Sequence, residues 1–378
     1  MAVNAKAAQL RASGRDILSL AAGEPDFDTP SHVKKAAIAA IRDGLTKYTV
    51  VDGTPELKQA IVEKLTRENS LHYPPEQILV SSGCKHSIYN LMQALLDPGD
   101  EVIIPAPYWV SYPDMAKLAG AEPVILRTDI EHGYKMSPEQ LRGALNRRSR
   151  LLVLNSPSNP TGICYSDDEL QAFGAILADH PEIVIASDDI YEHILWTGRP
   201  FRNILNVCPV LHDRTVVLNG VSKAYAMTGW RIGFAAGPET IIAAMKKIQS
   251  QSTSNPSSIS QAAATAALSG SQTLVTRRCK TYKQRHDFIV KSLNSIDGVR
   301  AIDSDGTFYA FPDMNGIIER RDDIANDVEL AEFLLEHASV AAVPGSAFGS
   351  PGCMRFSYAT SMEVLEQALN NITKALQM

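Results

Sequence analysis

The stretch VLNGVSKAYAMTGWRIGF, Val217 to Phe234, is mostly small or apolar, yet it carries two cations, Lys223 and Arg231, eight residues apart. Long basic side chains often bury their stems and keep their heads in water, and that alone would account for both. A lysine in apolar surroundings also has a chemical use. Burial and a neighbouring cation lower its pKa, and the neutral amine then attacks carbonyl carbons. An arginine nearby supplies a permanent positive charge able to hold a phosphate. Other phosphate and nucleophile chemistries lack their residues. There is no GxxxxGK[ST], no GxGxxG after a strand and no HExxH, and GSAFG (345–349) has the wrong spacing for a serine elbow. What remains is a lysine, several arginines, an Asp–Tyr pair in SDDIY and an Asn-Pro turn.

These residues need elements to present them. Short apolar runs at ILVSSG (78–83), EVIIPAP (101–107), PVILRT (123–128), LLVLNSP (151–157), EIVIASDD (182–189) and TVVLNG (215–220) read as strands. Between them, HSIYNLMQALLD (86–97), SPEQLRGALN (137–146) and SDDELQAFGAILADH (166–180) have helical spacing. Ser137 and Ser166 stand where N-caps belong, with Pro138 at a first helical position. Strands alternating with helices imply an α/β fold with a mainly parallel sheet covered on both faces. Ligands of such sheets sit beyond the carboxyl ends of the strands. Here those ends run into SSGCK, PAPYW, NSPSNPTG, SDDIY and NGVSK. After about residue 272 the texture changes to a long helical pattern, then GTFYAFPDM, VELAEFLLEHA, VAAVPG, MRFSYAT and a closing helix. That part reads as a smaller α+β domain completed by the N-terminal segment, with 31–280 as the large domain and 1–30 plus 281–378 as the small one.

With 378 residues the chain is long for a single core. Apolar residues make up 45% and charged residues 21%, a globular profile, and the net charge of −6 argues against nucleic acid as the main partner. The basic clusters RRSR (147–150) and TRRCK (276–280) lack interleaved aromatics and read as solvated faces. Five scattered cysteines without CxxC spacing indicate neither a zinc site nor a disulfide framework. No signal-peptide core and no membrane-length apolar run occur, so a cytoplasmic setting is expected.

A cofactor that unites an aldehyde with a phosphate is pyridoxal 5′-phosphate, whose ring also needs an anion beside its pyridinium nitrogen. SKAYAMTGWRIGF resembles the cofactor-lysine motif of the class I, fold-type I aminotransferases. NSPSNPTG, SDDIYEH, PYWVSYPDM, AAGEPDFDTP, TKYTVVDGTPELKQA and MRFSYATS are similar to that family's other motifs, so the resemblance spans essentially the whole chain. It is nearest the bacterial aspartate aminotransferase subgroup, some members of which also accept prephenate. The resemblance implies a seven-stranded-type large-domain sheet and a homodimer with shared active sites. Lys223 would bind the cofactor covalently and shuttle a proton, and Asp188, rather than its neighbour Asp189, would pair with the pyridine nitrogen. Tyr191 and Asn159 would bond the ring's phenolic oxygen, and Trp109 would stack on the ring. Gly83, Cys84, Lys85, Ser222 and Arg231 would hold the phosphate, joined by Tyr48 of the neighbouring subunit.

Arg355 would grip the substrate α-carboxylate, Gly23 would lie against the substrate, and Lys85 would meet a distal carboxylate in place of an arginine. The stretch SQSTSNPSS (250–258) indeed contains no arginine. No metal is implied. A further N-terminal stretch covering the site is implied ahead of AVNAKA, where the sequence given starts at Met1. The expected reaction is ping-pong transfer of an amino group between L-aspartate, or a similar acidic amino acid, and 2-oxoglutarate. Transfer involving prephenate or arogenate, amino transfer of broader specificity, and C–S β-lysis on the same cofactor are the alternatives. A non-catalytic ligand-sensing domain would not need every one of these residue types.

Overall fold

The computed structural model describes residues 6, 9, 10, 12 and 14–377. The segment Met1–Ala5, on which the expected N-terminal extension bears, lies outside the described residues. Seven strands form the main sheet: β1 (Ile78–Ser81), β2 (Glu101–Pro105), β3 (Glu122–Leu126), β4 (Ser149–Asn155), β5 (Val184–Asp188), β6 (Thr215–Gly220) and β7 (Gly233–Ala236). Their order across the sheet is β1-β7-β6-β5-β4-β2-β3. β2 to β6 run parallel, while β7 is antiparallel to both β1 and β6.

Six of these strands coincide with apolar runs in the sequence, but β7 does not. It opens on a glycine because the turn after β1 presses on that position. A Cβ on Gly233 would lie 2.1 Å from the backbone nitrogen of Cys84. Alternation along the other strands splits the interior into two cores. Leu79, Val102, Ile104, Leu151 and Val153 pack on one face, and Val80, Ile103, Leu152 and Leu154 on the other. The helices close both layers. Pro138–Ala144 and Asp167–Ala178 each begin with a complete capping box, Ser137 with Gln140 and Ser166 with Glu169, so both expected N-caps are in place.

The remaining strands are short. Leu18–Ser19 pairs in parallel with Val340–Ala341, which joins the N-terminal segment to the C-terminal part. Val343–Pro344, Met354–Ser357 and Tyr309–Ala310 form a small antiparallel sheet. GTFYAFPDM thus contributes a strand of only two residues. The helix Thr273–Asn294 runs unbroken through residue 280, so the two parts of the chain meet along a helix. In the basic cluster at 147–150, Arg148 pairs with Glu101, and Arg150 with Asp100 at 3.3 Å. All five cysteines are free. Among the described residues, no helix is long and apolar enough to cross a membrane.

Candidate active site

A cleft of about 960 Å³ opens beyond the carboxyl ends of the parallel strands. Gly23, Cys84, Lys85, Trp109, Asn159, Asp188, Tyr191, Ser222, Lys223, Arg231 and Arg355 all line it. Residues more than 300 positions apart are therefore brought together. Gly83 stands just behind this lining, against Arg231. Tyr48 does not reach the cleft of its own chain; it is 90% exposed.

Lys223 follows β6 by three residues and donates to the Gly23 carbonyl at 2.6 Å. Burial, then the positive charges of Arg355 and Arg231, push its amine down to about 8. Both cations of the opening motif thus act within one cleft, and Arg231 depresses the basicity of Lys223. Arg231 itself adopts φ +56°, with its guanidinium donating to Thr228 O at 2.8 Å and Ser82 O at 3.4 Å. The helix Cys84–Leu95 starts beside it from Gly83, at φ +92°, with no side-chain cap. Its first turn therefore presents backbone N–H groups and a positive dipole end.

At the end of β5, Asp188 and Asp189 point to opposite faces of the sheet. Asp188 faces the cleft, accepting from the Tyr112 hydroxyl at 2.5 Å and from Ile190 N–H at 3.3 Å. Burial raises its carboxyl to about 6, against the pull of the Tyr112 bond. Asp189 is held on the far side by Ser187 and Asn203, both at 2.7 Å. The Tyr191 hydroxyl meets that of Tyr309 at 2.9 Å, and burial holds its phenol well above the usual range. Arg355 donates to Asn159 Oδ1 at 2.9 Å and to Ala21 O at 3.0 Å, leaving its Nε without a partner. The Lys85 ammonium lies 4.7 Å from the Trp109 ring centroid, and burial followed by the charge of Arg231 lowers its pKa.

Among the cleft residues that were not anticipated are Tyr112, Asn155 and Tyr309. Tyr112 follows Trp109 by three residues at the start of the helix Ser111–Leu118, and the two rings meet edge-on at 5.3 Å. Asn155, which donates to the Asp188 carbonyl at 2.9 Å, ends β4 just before the quoted Asn-Pro turn. Tyr309 gave no local signal, since it reaches the cleft from the small antiparallel sheet.

The residues present fit pyridoxal 5′-phosphate. An uncapped helix start, the Ser222 hydroxyl and the outward-facing Arg231 form an anion cradle. A Cβ at residue 83 would fall 2.2 Å from Arg231 Nη2, so the guanidinium keeps this place only with glycine there. A low-pKa amine, a buried carboxylate and an indole ring stand around the space beside it.

A parallel sheet with this cleft at its strand ends defines a pyridoxal-phosphate enzyme of the fold-type I class. Residues 15–372 match the family model described as aminotransferase class I and II, and the chain belongs to that family. It is 56% identical to an aspartate/prephenate aminotransferase of Nitrosomonas europaea over 100% of this chain and 96% of that protein. The crystal structure of the aspartate aminotransferase from Rhizobium meliloti superimposes with a TM-score of 0.96 at 47% identity, covering 99% of this chain and 95% of that one. The aspartate aminotransferase of Thermus thermophilus with maleate gives 0.93 at 44% identity, with 99% and 95% covered.

Proposed function

We propose that this chain transfers an amino group between L-aspartate, or a similar acidic amino acid, and 2-oxoglutarate. The observation that carries this reading is the presence of two cations, Arg355 and Lys85, in the cleft that also holds Lys223. Two carboxylates need two such partners. The Thermus relative was solved with maleate, a dicarboxylate, which supports the same substrate class. When bound, pyridoxal phosphate supplies an electron sink for the charge left on the substrate Cα.

The protein does the rest. Lys223, kept partly neutral near pH 8, takes and returns the proton at that carbon. The Asp188 carboxylate, steadied by Tyr112, would face the ring nitrogen, and Tyr191 and Asn159 would bond the phenolic oxygen. Trp109 would stack on the ring, and Arg355 would fix the α-carboxylate as a fork. Gly83, Cys84, Lys85, Ser222 and Arg231 would hold the phosphate, and Gly23 would leave room for substrate. A Cβ on Gly23 would lie 3.3 Å from the Tyr309 hydroxyl. Residues 31–280 serve as the large domain, and 1–30 with 281–378 as the small one.

The test is glutamate formation from aspartate plus 2-oxoglutarate, with parallel-line ping-pong kinetics. Pyruvate from thioether amino acids with no glutamate from aspartate would sink the proposal. Prephenate as an amino acceptor is a second reading, favoured by the name of the Nitrosomonas relative. Arogenate formation from prephenate decides it.

We further infer a cytoplasmic homodimer in which Tyr48 reaches the partner's phosphate. Supporting this, the large apolar residues Ile38, Ile41, Leu45 and Val50, close to Tyr48 in sequence, are all exposed. A monomer by sedimentation at micromolar concentration would refute it.

A further inference from the structure

On the face of the sheet turned away from the cleft lies a buried group of charges that amino transfer does not use. Glu192 directly follows Tyr191 and is 6% exposed. Its carboxylate accepts from Lys64 Nζ, from Asn69 Nδ2 at 2.6 Å and from Asn219 Nδ2 at 2.7 Å. Lys64, 1% exposed, also donates to Asn69 Oδ1 at 2.6 Å and stands 3.7 Å from Glu68. His193 bonds Glu68 at 2.9 Å. Glu68, Glu192 and His193 are close enough together to share a metal ion, but the Lys64 ammonium already stands against both carboxylates. Burial works against the ionised form of Glu192, yet the charges of Lys64 and His193 hold its carboxyl below the usual range.

The three donors to Glu192 come from two elements. Lys64 and Asn69 sit on the helix Pro55–Asn69. Asn219 is the penultimate residue of β6, four positions before Lys223, and its Oδ1 accepts from Gly220 N–H at 2.7 Å. Glu192 itself belongs to the turn after β5, with its N–H donating to the Asp189 carbonyl at 3.0 Å. One carboxylate therefore ties the turn carrying Asp188 and Tyr191 to the strand end that delivers Lys223, and both to a helix behind them. A buried ion pair is a poor source of stability compared with apolar packing, and its best-attested use is to fix register.

We propose that Glu192, with Lys64 and Asn219, is a positioning joint that sets the Lys223 strand end against the Asp188–Tyr191 turn. It touches neither cofactor nor substrate and acts through the residues that do. The proposal rests on the reading of Lys223 and Asp188 as cofactor contacts, but not on which amino acid is the substrate.

The test uses protein loaded with pyridoxal phosphate and compares the parent with Lys64→Met/Glu192→Gln, which removes both buried charges together, and with Asn219→Leu, which keeps the ion pair but cuts its tie to the Lys223 strand. The first readout is the pH midpoint of the near-visible absorbance without substrate, which reports the surroundings of Lys223 whatever the enzyme's substrate. A joint predicts a midpoint shift of about half a pH unit or more in both variants. It also predicts a kcat loss of about tenfold or more with KM nearly unchanged, as misplacement of reacting groups gives. A lowered melting temperature with the midpoint and kcat of the parent would mean a structural role only and overturn the proposal. Should the double variant fail to fold, Asn219→Leu decides alone: a shifted midpoint supports the joint, and an unchanged one overturns it. Failure of the substrate assignment is distinguishable, since it would leave the parent without aspartate turnover but with its absorbance midpoint intact.

Discussion

Replacing Gly83 by alanine should separate phosphate binding from every other feature of the cleft. Residue 83 holds φ +92°, a region that costs a residue with a Cβ about 1–3 kcal/mol. The added carbon would lie 2.2 Å from Arg231 Nη2 and 2.8 Å from its Cζ, so the guanidinium must leave its place. The displaced guanidinium is the end of an exposed side chain, and moving it aside takes Nη1 from Thr228 O and Nη2 from the cradle. A hydrogen bond to a charged group contributes about 1.5–3 kcal/mol. Losing the Arg231 contact should thus weaken pyridoxal phosphate binding by about 10- to 150-fold, at 1.4 kcal/mol per tenfold. The assay is a spectroscopic titration of cofactor-free protein with pyridoxal phosphate and, separately, with pyridoxal, which lacks the phosphate. Gly83→Ala should weaken the first and spare the second. The strain should also appear as a loss of about 1–3 kcal/mol in urea unfolding. Equal weakening of both ligands, or of neither, would refute the placement of the phosphate between Gly83 and Arg231.

Lys223→Ala should retain cofactor affinity through the phosphate cradle while turnover falls by about 10²-fold or more, measured as glutamate formation from aspartate. Near-parent turnover would end the assignment. The Lys223 amine is charged below about pH 8 and neutral above it, so capture of pyridoxal phosphate by cofactor-free protein should rise with pH through about 8 and then level. Burial sets most of that depression, but Arg355 and Arg231 add to it, so Arg355→Met should move the midpoint upward. A parent midpoint near the ordinary lysine value would show that the amine is not depressed. Lys85→Ala should cut kcat/KM for aspartate by about tenfold or more while sparing alanine, as loss of one charge-assisted contact predicts. Equal losses on both substrates would remove Lys85 from specificity.

How much of this could be read from the sequence depended on where each contact finds its partner. Asp188 and Asp189 were separable in advance because neighbouring strand residues alternate, and their partners, Tyr112 and Asn203, do lie on opposite faces. Strands β1 to β6 announced themselves through branched apolar runs, whereas β7 opens on Gly233 for a reason visible only in space, the approach of Cys84. Tyr309 is 118 residues from Tyr191 and Lys64 is 128 from Glu192, so no local pattern signals either contact. Glu192 even stands inside the quoted SDDIYEH, unremarked, because nothing in that motif says which face it takes. The cleft residues were legible because a shared ligand constrains their types. The groups that hold them constrain only one another, and distant sequence positions can meet that demand in many ways. Arg355 shows both kinds of constraint at once. Its guanidinium is fit for a carboxylate, yet it already bonds Asn159 and the Ala21 carbonyl, so the side chain proposed to bind substrate also joins the N-terminal segment to the turn after β4.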